Sequence, residues 1–423
     1  MSPPKSCIQE DKWFILDRLF RRSMKVNLDL HIHSKYSAAT SSKMDLPTIA
    51  GEAAKKGIRI VATGDCLHPR WMAEVRKLPE RGGLFWLGET AFVLTCEVED
   101  SSRVHHLIIV PDPSKASELA EKFSCRAASL DSDGRPTLKM EPPEIADLAL
   151  EADCLVGPGH AFTPWTGMYA HHQSLAECYK DRADQISYVE LGLSADSDYA
   201  DRISELEERT FLSNSDAHSP WPNKLGREFN QMEMSDLSFE DLKNAILRRG
   251  GCSPTLNVGF YPDEGKYNRT ACTRCYRFYS PEEMRDRRGR CECGGLIKLG
   301  VRDRVEMLAD RPAPVHPDHR PPYLHLIPLA EVIAMALGIK GVFSAKVQKT
   351  WNELVMGRSE IEVLVEADLS ELEVDVRVAD AIGAFRSKEV FVEPGGGGKY
   401  GRVRLLDHSN STKDDDQRSL FDF

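Results

Sequence analysis

Nowhere in its 423 residues does the chain hold about 18 consecutive apolar residues, so nothing in it reads as a membrane-spanning helix. A secretory start is missing too. The opening "MSPPKSCIQEDKWFILDRLFRRSM" carries an apolar patch too short and too interrupted by charge, which points to a cytoplasmic protein. Residues 1–23 are expected to form an extension, either an amphipathic helix or the product of an upstream start, with Met24 as the alternative beginning. In a reducing compartment disulfides are not the first explanation of eleven cysteines, and close cysteine pairs point to metal or redox chemistry. Positive charge is also short. The net charge of -11 argues against nucleic-acid binding by the chain as a whole, yet Lys266 to Arg304 holds eleven Lys and Arg against five Asp and Glu. That local excess is the footprint of a module that touches phosphates.

What is abundant is rhythm. Seven β-rich apolar runs, "VNLDL", "IRIVAT", "AFVLT", "HLIIV", "CLVG", "ISYVEL" and "RTFLS", alternate with stretches of helical spacing such as "LPTIAGEAAKKG", "KASELAEKF" and "PPEIADLALEA". Asp45 is placed to cap the first helix, with Pro47 in its opening turn and Gly57 at its end. Such alternation predicts a parallel sheet closed or nearly closed into a β/α barrel over residues 24–252.

Histidine is scarce, 13 of 423, and its distribution is uneven. His31 and His33 follow the first run, Asp65 and His68 the second, Glu97 lies in the third, His106 opens the fourth, His160 follows the fifth, and Asp216 and His218 follow the last. The carboxyl ends of parallel barrel strands meet on one face, so side chains far apart in sequence converge there. Imidazoles and carboxylates that converge are metal ligands by chemistry, and two histidines two apart on a strand point to the same side.

The motifs "LDLHIHS", "GDCLHP", "CEVE", "HHLIIV", "GPGH" and "NSDAH" resemble, in order, those of the PHP superfamily of metal-dependent phosphoesterases. That resemblance implies a distorted seven-stranded β/α barrel and two or three divalent ions (Zn, Mn or Mg) held by His31, His33, Asp65, His68, Glu97, His106, His160, Asp216 and His218. The second motif departs from the family pattern, because "DCLH" separates an Asp and a His that usually stand side by side.

Residues 253–305 carry a different signal. "CTRCYRFYSPEEMRDRRGRCEC" sets Cys272 and Cys275 against Cys291 and Cys293, two close thiolate pairs suited to one tetrahedral structural zinc. Arg274, Arg277, Arg287 and Arg288 decorate this ribbon and are expected to meet DNA. Residues 306–394 have the apolar spacing of amphipathic helices, and "LGIKGV" is similar to helix-hairpin-helix turns that hold phosphate. "EPGGGGKYG", within a segment 395–416 expected to be Gly-rich turn and polar linker, lacks the Ser or Thr of a nucleotide loop and reads as a flexible strand-to-strand turn, with Lys399 near DNA. The last seven residues, 417–423, resemble a sliding-clamp peptide anchored by Gln417, Leu420 and Phe423.

A PHP barrel, a four-cysteine ribbon, a helical region and a clamp peptide in this order resemble the endonuclease Q family. The resemblance implies a monomeric DNA repair endonuclease that cuts damaged double- or single-stranded DNA on the 5′ side of uracil, hypoxanthine, xanthine and abasic sites. Phe162, Trp165, Tyr169 and Trp221 flank the metal motifs and are candidates to stack on a flipped base. A small-molecule PHP phosphomonoesterase and a non-catalytic DNA-binding clamp adaptor are the two rival readings; the first has no use for the ribbon or the tail.

Overall fold

A computed structural model describes residues 23–406. The proposed extension, apart from Ser23, and the clamp peptide with Gln417, Leu420 and Phe423 lie outside the described residues. Each of the seven apolar runs forms a strand: β1 (Met24–Asp29), β2 (Ile60–Ala62), β3 (Thr90–Glu99), β4 (His105–Val110), β5 (Leu155–Pro158), β6 (Tyr188–Glu190) and β7 (Thr210–Leu212). Two further strands, β8 (Phe229–Met234) and β9 (Ser253–Gly259), follow.

The sheet is mixed, which corrects the expectation of a parallel one. β1, β2 and β3 run parallel through Leu28 opposite Ile60 and Val61 opposite Phe92. β4 is antiparallel to both β3 and β5, and β8 is antiparallel to β1 and β9. The cause is local: Asp100–Val104 is a tight turn in which Asp100 Oδ1 accepts from the Val104 amide at 2.9 Å, too short a connection for a crossover helix. β6 and β7 pair with each other, and the curled sheet is drawn together there by side chains, with Asn257 Nδ2 donating to Phe211 O at 3.1 Å.

Two cores follow from strand alternation. Leu28, Ile60, Val93, Leu107, Ile109, Tyr188 and Leu212 fill the interior, while Val61, Phe92, Ile108, Val110 and Val189 pack outward. The outer layer includes α1 (Leu46–Lys56), whose caps form as the sequence implies: Asp45 accepts from the Thr48 amide at 2.9 Å and Gly57 ends the helix at φ 91°. α2 (Pro113–Ser124) and α3 (Pro142–Glu151) cover the sheet beyond it.

The domain boundaries expected at 252 and 305 shift. β9 is a strand of the main sheet, and Tyr323–His325 pairs parallel to it, so the sheet reaches past both boundaries. The ribbon itself is a small unit built on paired Ala271–Cys272 and Ile297–Lys298. Beyond the sheet stand the helices α4 (Leu329–Leu337), α5 (Ala345–Leu354) and α6 (Val376–Arg386). A buried ion pair ties them to α1: Lys56 Nζ lies 2.6 Å from Glu360 Oε1, whose other oxygen accepts from Trp351 Nε1 at 2.6 Å.

The Gly-rich turn joins the antiparallel pair Val390–Glu393 and Arg402–Leu405. It is packed rather than free, since a Cβ on Gly397 would stand 2.3 Å from Cys272 O. The turn therefore lies against the ribbon's base, with Lys399 exposed.

Candidate metal centre

The strand ends converge on one rim. Glu97, inward by the same alternation as Ala91 and Val93, sits among three imidazoles. His160 Nε2 lies 2.8 Å and His105 Nδ1 2.7 Å from Glu97 Oε1, and His33 Nε2 lies 3.3 Å from Oε2. On the other side His33 Nε2 is 3.3 Å and His218 Nε2 3.6 Å from Asp216 Oδ1. Three groups of ligand atoms result: His31, His33 and Glu97; His33, Asp216 and His218; and Glu97, His105 and His160. Glu97 and His33 each belong to two groups, so the three are contiguous.

Backbone strain aims several of these side chains. His160 and Asp216 adopt left-handed conformations at φ 28° and 47°, as does neighbouring Asp65 at 49°. Such conformations persist only where the surroundings impose them, and they cluster at functional sites.

Most rings are held from behind. Glu190 contacts His31 Nδ1 at 2.9 Å, Asp65 contacts His33 Nδ1 at 3.2 Å, Thr40 contacts His218 Nδ1 at 2.8 Å and Glu99 contacts His105 Nε2 at 3.2 Å. A partner on one ring nitrogen orients the other toward a common point, the arrangement that metal-ligating histidines show. His31 Nε2, His33 Nε2 and Asp216 Oδ1 are buried without a hydrogen-bond partner among the described residues. An unmet buried polar atom costs about 1–3 kcal/mol, and a divalent cation among them would satisfy all three. The donor set therefore fits metal.

Burial and charge act in opposition here. Burial pushes the Glu97 carboxyl upward, but His105 and His31 outweigh it and hold the group well below the usual carboxylate range. His105 is the converse: burial lowers it, and Glu97 brings it to about 8.

His106 is not where the sequence analysis placed it. It faces the outer layer with Ile108 and Val110, its ring between Tyr179 Oη at 2.8 Å and Asp100 Oδ2 at 3.1 Å. His105 takes the rim position. The signal was present in "HHLIIV": Leu107 and Ile109 point inward, and a period of two puts His105 with them. His68 also stands apart from the three groups. It caps the helix Pro69–Val75 and reaches Asp131 O at 3.2 Å. Asp65 lies behind His33, with its second oxygen taken by the Ser34 amide at 2.7 Å and Ser37 Oγ at 2.9 Å. Glu190, at the end of "ISYVEL", and Arg135, whose Nη1 lies 3.2 Å from Glu97 Oε2, were not anticipated.

Beside the cluster opens a cavity of about 320 Å³ lined by His160, Asp216, Trp165, Tyr261, Tyr267 and Tyr400 among others. Lys298 Nζ sits 3.6 Å above the Trp165 ring and donates to Pro164 O at 2.8 Å, so the ribbon grips the loop that carries His160. Of the four candidate aromatics only Trp165 lines this cavity. Phe162 and Tyr169 are buried against each other with centroids 5.0 Å apart, and Trp221 is exposed outside it.

In the ribbon the four thiols come together, with Cys272 and Cys293 Sγ 3.5 Å apart and Cys275 and Cys291 Sγ 3.5 Å apart. Zinc with bonds of about 2.3 Å fits between sulfurs at such spacing. The Cys291 thiol is drawn down to about 6, first by the Tyr279 hydroxyl 3.0 Å away. Arg277 and Arg287 pair with Glu292 across Tyr279, Arg274 donates to Cys293 O at 2.9 Å, and Arg288 is exposed.

Comparison with known proteins gives this arrangement a family. The lesion-specific endonuclease PfuEndoQ from Pyrococcus furiosus is 47% identical, with a TM-score of 0.86 over 90% of this chain and 96% of that one. The chain belongs to the endonuclease Q family. An endonuclease Q crystallised with a 27-mer duplex substrate carrying an abasic lesion at the active site is 46% identical, with a TM-score of 0.85 over 91% of this chain and 97% of that one. Among curated relatives, the Methanocaldococcus jannaschii protein MJ0043 is 45% identical over 58% of this chain, which spans 31% of its length. Bacillus subtilis YqxK is 29% identical over 90% of this chain and 99% of its own. Residues 328–389, within the region expected at 306–394, match the family described as the MJ0043 C-terminal domain. The endonuclease Q assignment rests on coverage of nearly the whole chain rather than on the rim motifs alone.

Proposed function

We propose that this protein is a metal-dependent, lesion-specific DNA endonuclease that cuts the phosphodiester 5′ to deaminated bases and abasic sites. The observation that carries the reading is the rim itself: three contiguous ligand groups sharing Glu97 and His33, opening on a 320 Å³ cavity. Divalent cations held by these donors would supply Lewis acidity, lowering the pKa of water and screening phosphate charge. The chain's own residues do the rest. Glu190, Asp65, Thr40 and Glu99 fix the imidazoles, and the strained backbone at His160 and Asp216 holds donors that would otherwise relax. In the reaction the water oxygen bonds to phosphorus, the bond from phosphorus to the upstream 3′ oxygen breaks, and that oxygen takes a proton, leaving 3′-hydroxyl and 5′-phosphate ends.

The lesion is read outside the duplex. Flipping a nucleotide costs roughly a few kcal/mol and least at a damaged site, which favours lesions before any base contact is made. Trp165 and Tyr267, ring centroids 5.8 Å apart and edge to face, form one wall against which a base stacks. Uracil and hypoxanthine both offer a carbonyl beside a ring N-H, so one set of complementary groups accepts both and leaves cytosine and adenine mismatched, at about 1–3 kcal/mol per unmet group. The arginines of the ribbon grip the backbone, and the C-terminal peptide docks on a sliding clamp.

The test is a labelled duplex with a single deoxyuridine or abasic site, incubated with the full chain, with chelator, and with chelator followed by Mn or Mg. Cleavage one bond 5′ of the lesion, lost with chelator and restored by cation, supports the reading. Release of phosphate from a small monoester without cutting of the duplex would replace it with the phosphomonoesterase reading.

A further inference from the structure

An arch formed by residues 129–138 crosses the rim and is pinned at successive points. Asp131 accepts from Arg70 Nε at 3.1 Å through its carboxylate and meets His68 Nε2 at 3.2 Å through its carbonyl. Asp133 accepts from the Ala38 amide at 3.1 Å, and the Gly134 amide donates to Tyr36 O at 3.2 Å. The Glu99 amide donates to Pro136 O at 3.1 Å, and the Leu138 amide donates to Glu99 O at 2.7 Å. Gly134 is pressed so closely on the rim that a Cβ there would stand 2.3 Å from the Asp65 carboxylate and 2.5 Å from Ser37 Oγ. What this arch delivers is Arg135. Its Nη1 lies 3.2 Å from Glu97 Oε2, a carboxylate sealed from solvent, while the arginine side chain keeps 28% of its surface exposed. Among the described residues it is the one lysine or arginine ion-paired with a carboxylate of the three ligand groups.

We infer that Arg135 is a catalytic residue that grips a non-bridging oxygen of the scissile phosphate. This rests on the endonuclease reading above. The rim is rich in carboxylates, and an incoming phosphodiester is an anion among anions. Arg135 offers a fixed positive charge whose planar fork has five donors, only some of which Glu97 can engage, and its side chain keeps 28% of its surface open to an incoming backbone. Charge that develops on the phosphate oxygens in the transition state is stabilised best by a donor held in place beforehand, and the pinned arch supplies that preorganisation. His68 and Asp65, expected as ligands from the sequence, contribute here by anchoring and bedding the arch.

The test uses the full chain with metal, under single turnover, on the abasic or deoxyuridine duplex. R135A should cut on the order of 10²–10³-fold more slowly, the loss typical of removing one preorganised donor. Its bound metal and its affinity for the uncut duplex should stay near those of the parent, and added guanidinium should raise its rate but not the parent's. R135K should leave most of the loss in place, because an ammonium lacks the fork. Should R135A fail to fold, R135Q replaces it. A rate equal to the parent's, or a loss that guanidinium does not repair, overturns the inference. If the parent does not cut lesion DNA but hydrolyses bis(p-nitrophenyl) phosphate, the endonuclease reading falls and Arg135 is judged on that diester by the same criteria; a parent inert to both overturns both.

Discussion

The chain builds two metal-shaped sites by opposite means. The ribbon draws its four donors from 22 consecutive residues, 272–293, and positions them with two short strands and two tight turns. The rim draws its donors from His31 to His218 and positions them through a sheet, left-handed backbone and a set of partners behind the rings. The ribbon has little core of its own, Cys272, Tyr279, Cys291 and Ile297, so metal would hold it together. The rim stands on a filled interior and would keep its frame without metal, spending its donors on chemistry instead.

That contrast can be broken or sharpened experimentally. The largest effect is expected at Glu97, which two ligand groups share. Glu97→Gln should lower cleavage by on the order of 10³-fold and reduce the metal bound at the rim, with the ribbon's zinc retained in elemental analysis. Next come the neighbouring histidines. His105→Ala should slow cleavage by about 10²-fold. His106→Ala should instead leave the folded enzyme active and lower stability by about 1–3 kcal/mol, because Asp100 and Tyr179 lose a buried partner. Equal kinetic losses in the two would mean the strand alternation does not decide the ligand. Cys272→Ser should release the ribbon's zinc and open residues 271–298 to proteolysis, with cleavage reduced about tenfold, chiefly through weaker binding as Lys298 loosens its hold on Trp165.

The smallest effect on catalysis is expected at Glu228, buried under the sheet, where it accepts from the Phe260 amide at 2.9 Å. Burial raises its pKa from 4.5 to about 8. A carboxyl whose folded value lies above its unfolded one favours folding fully below about 4.5 and loses that contribution as pH climbs through 8. Thermal melts should therefore fall between about pH 4.5 and 8 in the parent, and Glu228→Gln should flatten that decline. An unchanged slope would place the proton elsewhere.

Much of this was legible beforehand. Each of the seven apolar runs contains a strand, the caps of α1 are at Asp45 and Gly57, and the four cysteines converge. The errors have separate causes. Expecting parallel strands throughout hid the hairpin between β3 and β4, and His106 was taken from its motif although the period of two turns His105 inward and His106 outward. His68 was taken from its motif, whereas a helix begins at Pro69 and claims its ring as a cap. Arg135 and Tyr400 stand in segments without periodicity, and only their neighbours in space give them a role.

The sequence by itself determined which segments become strands, where helices begin, and the four-cysteine pattern of the ribbon, because each depends on spacing within a few turns of chain. Tertiary structure alone decided which carboxylate stands behind each ring and which arginine reaches the cluster. Those choices turn on contacts between residues far apart in the chain, His31 and Glu190 being 159 positions apart, and no local spacing encodes them.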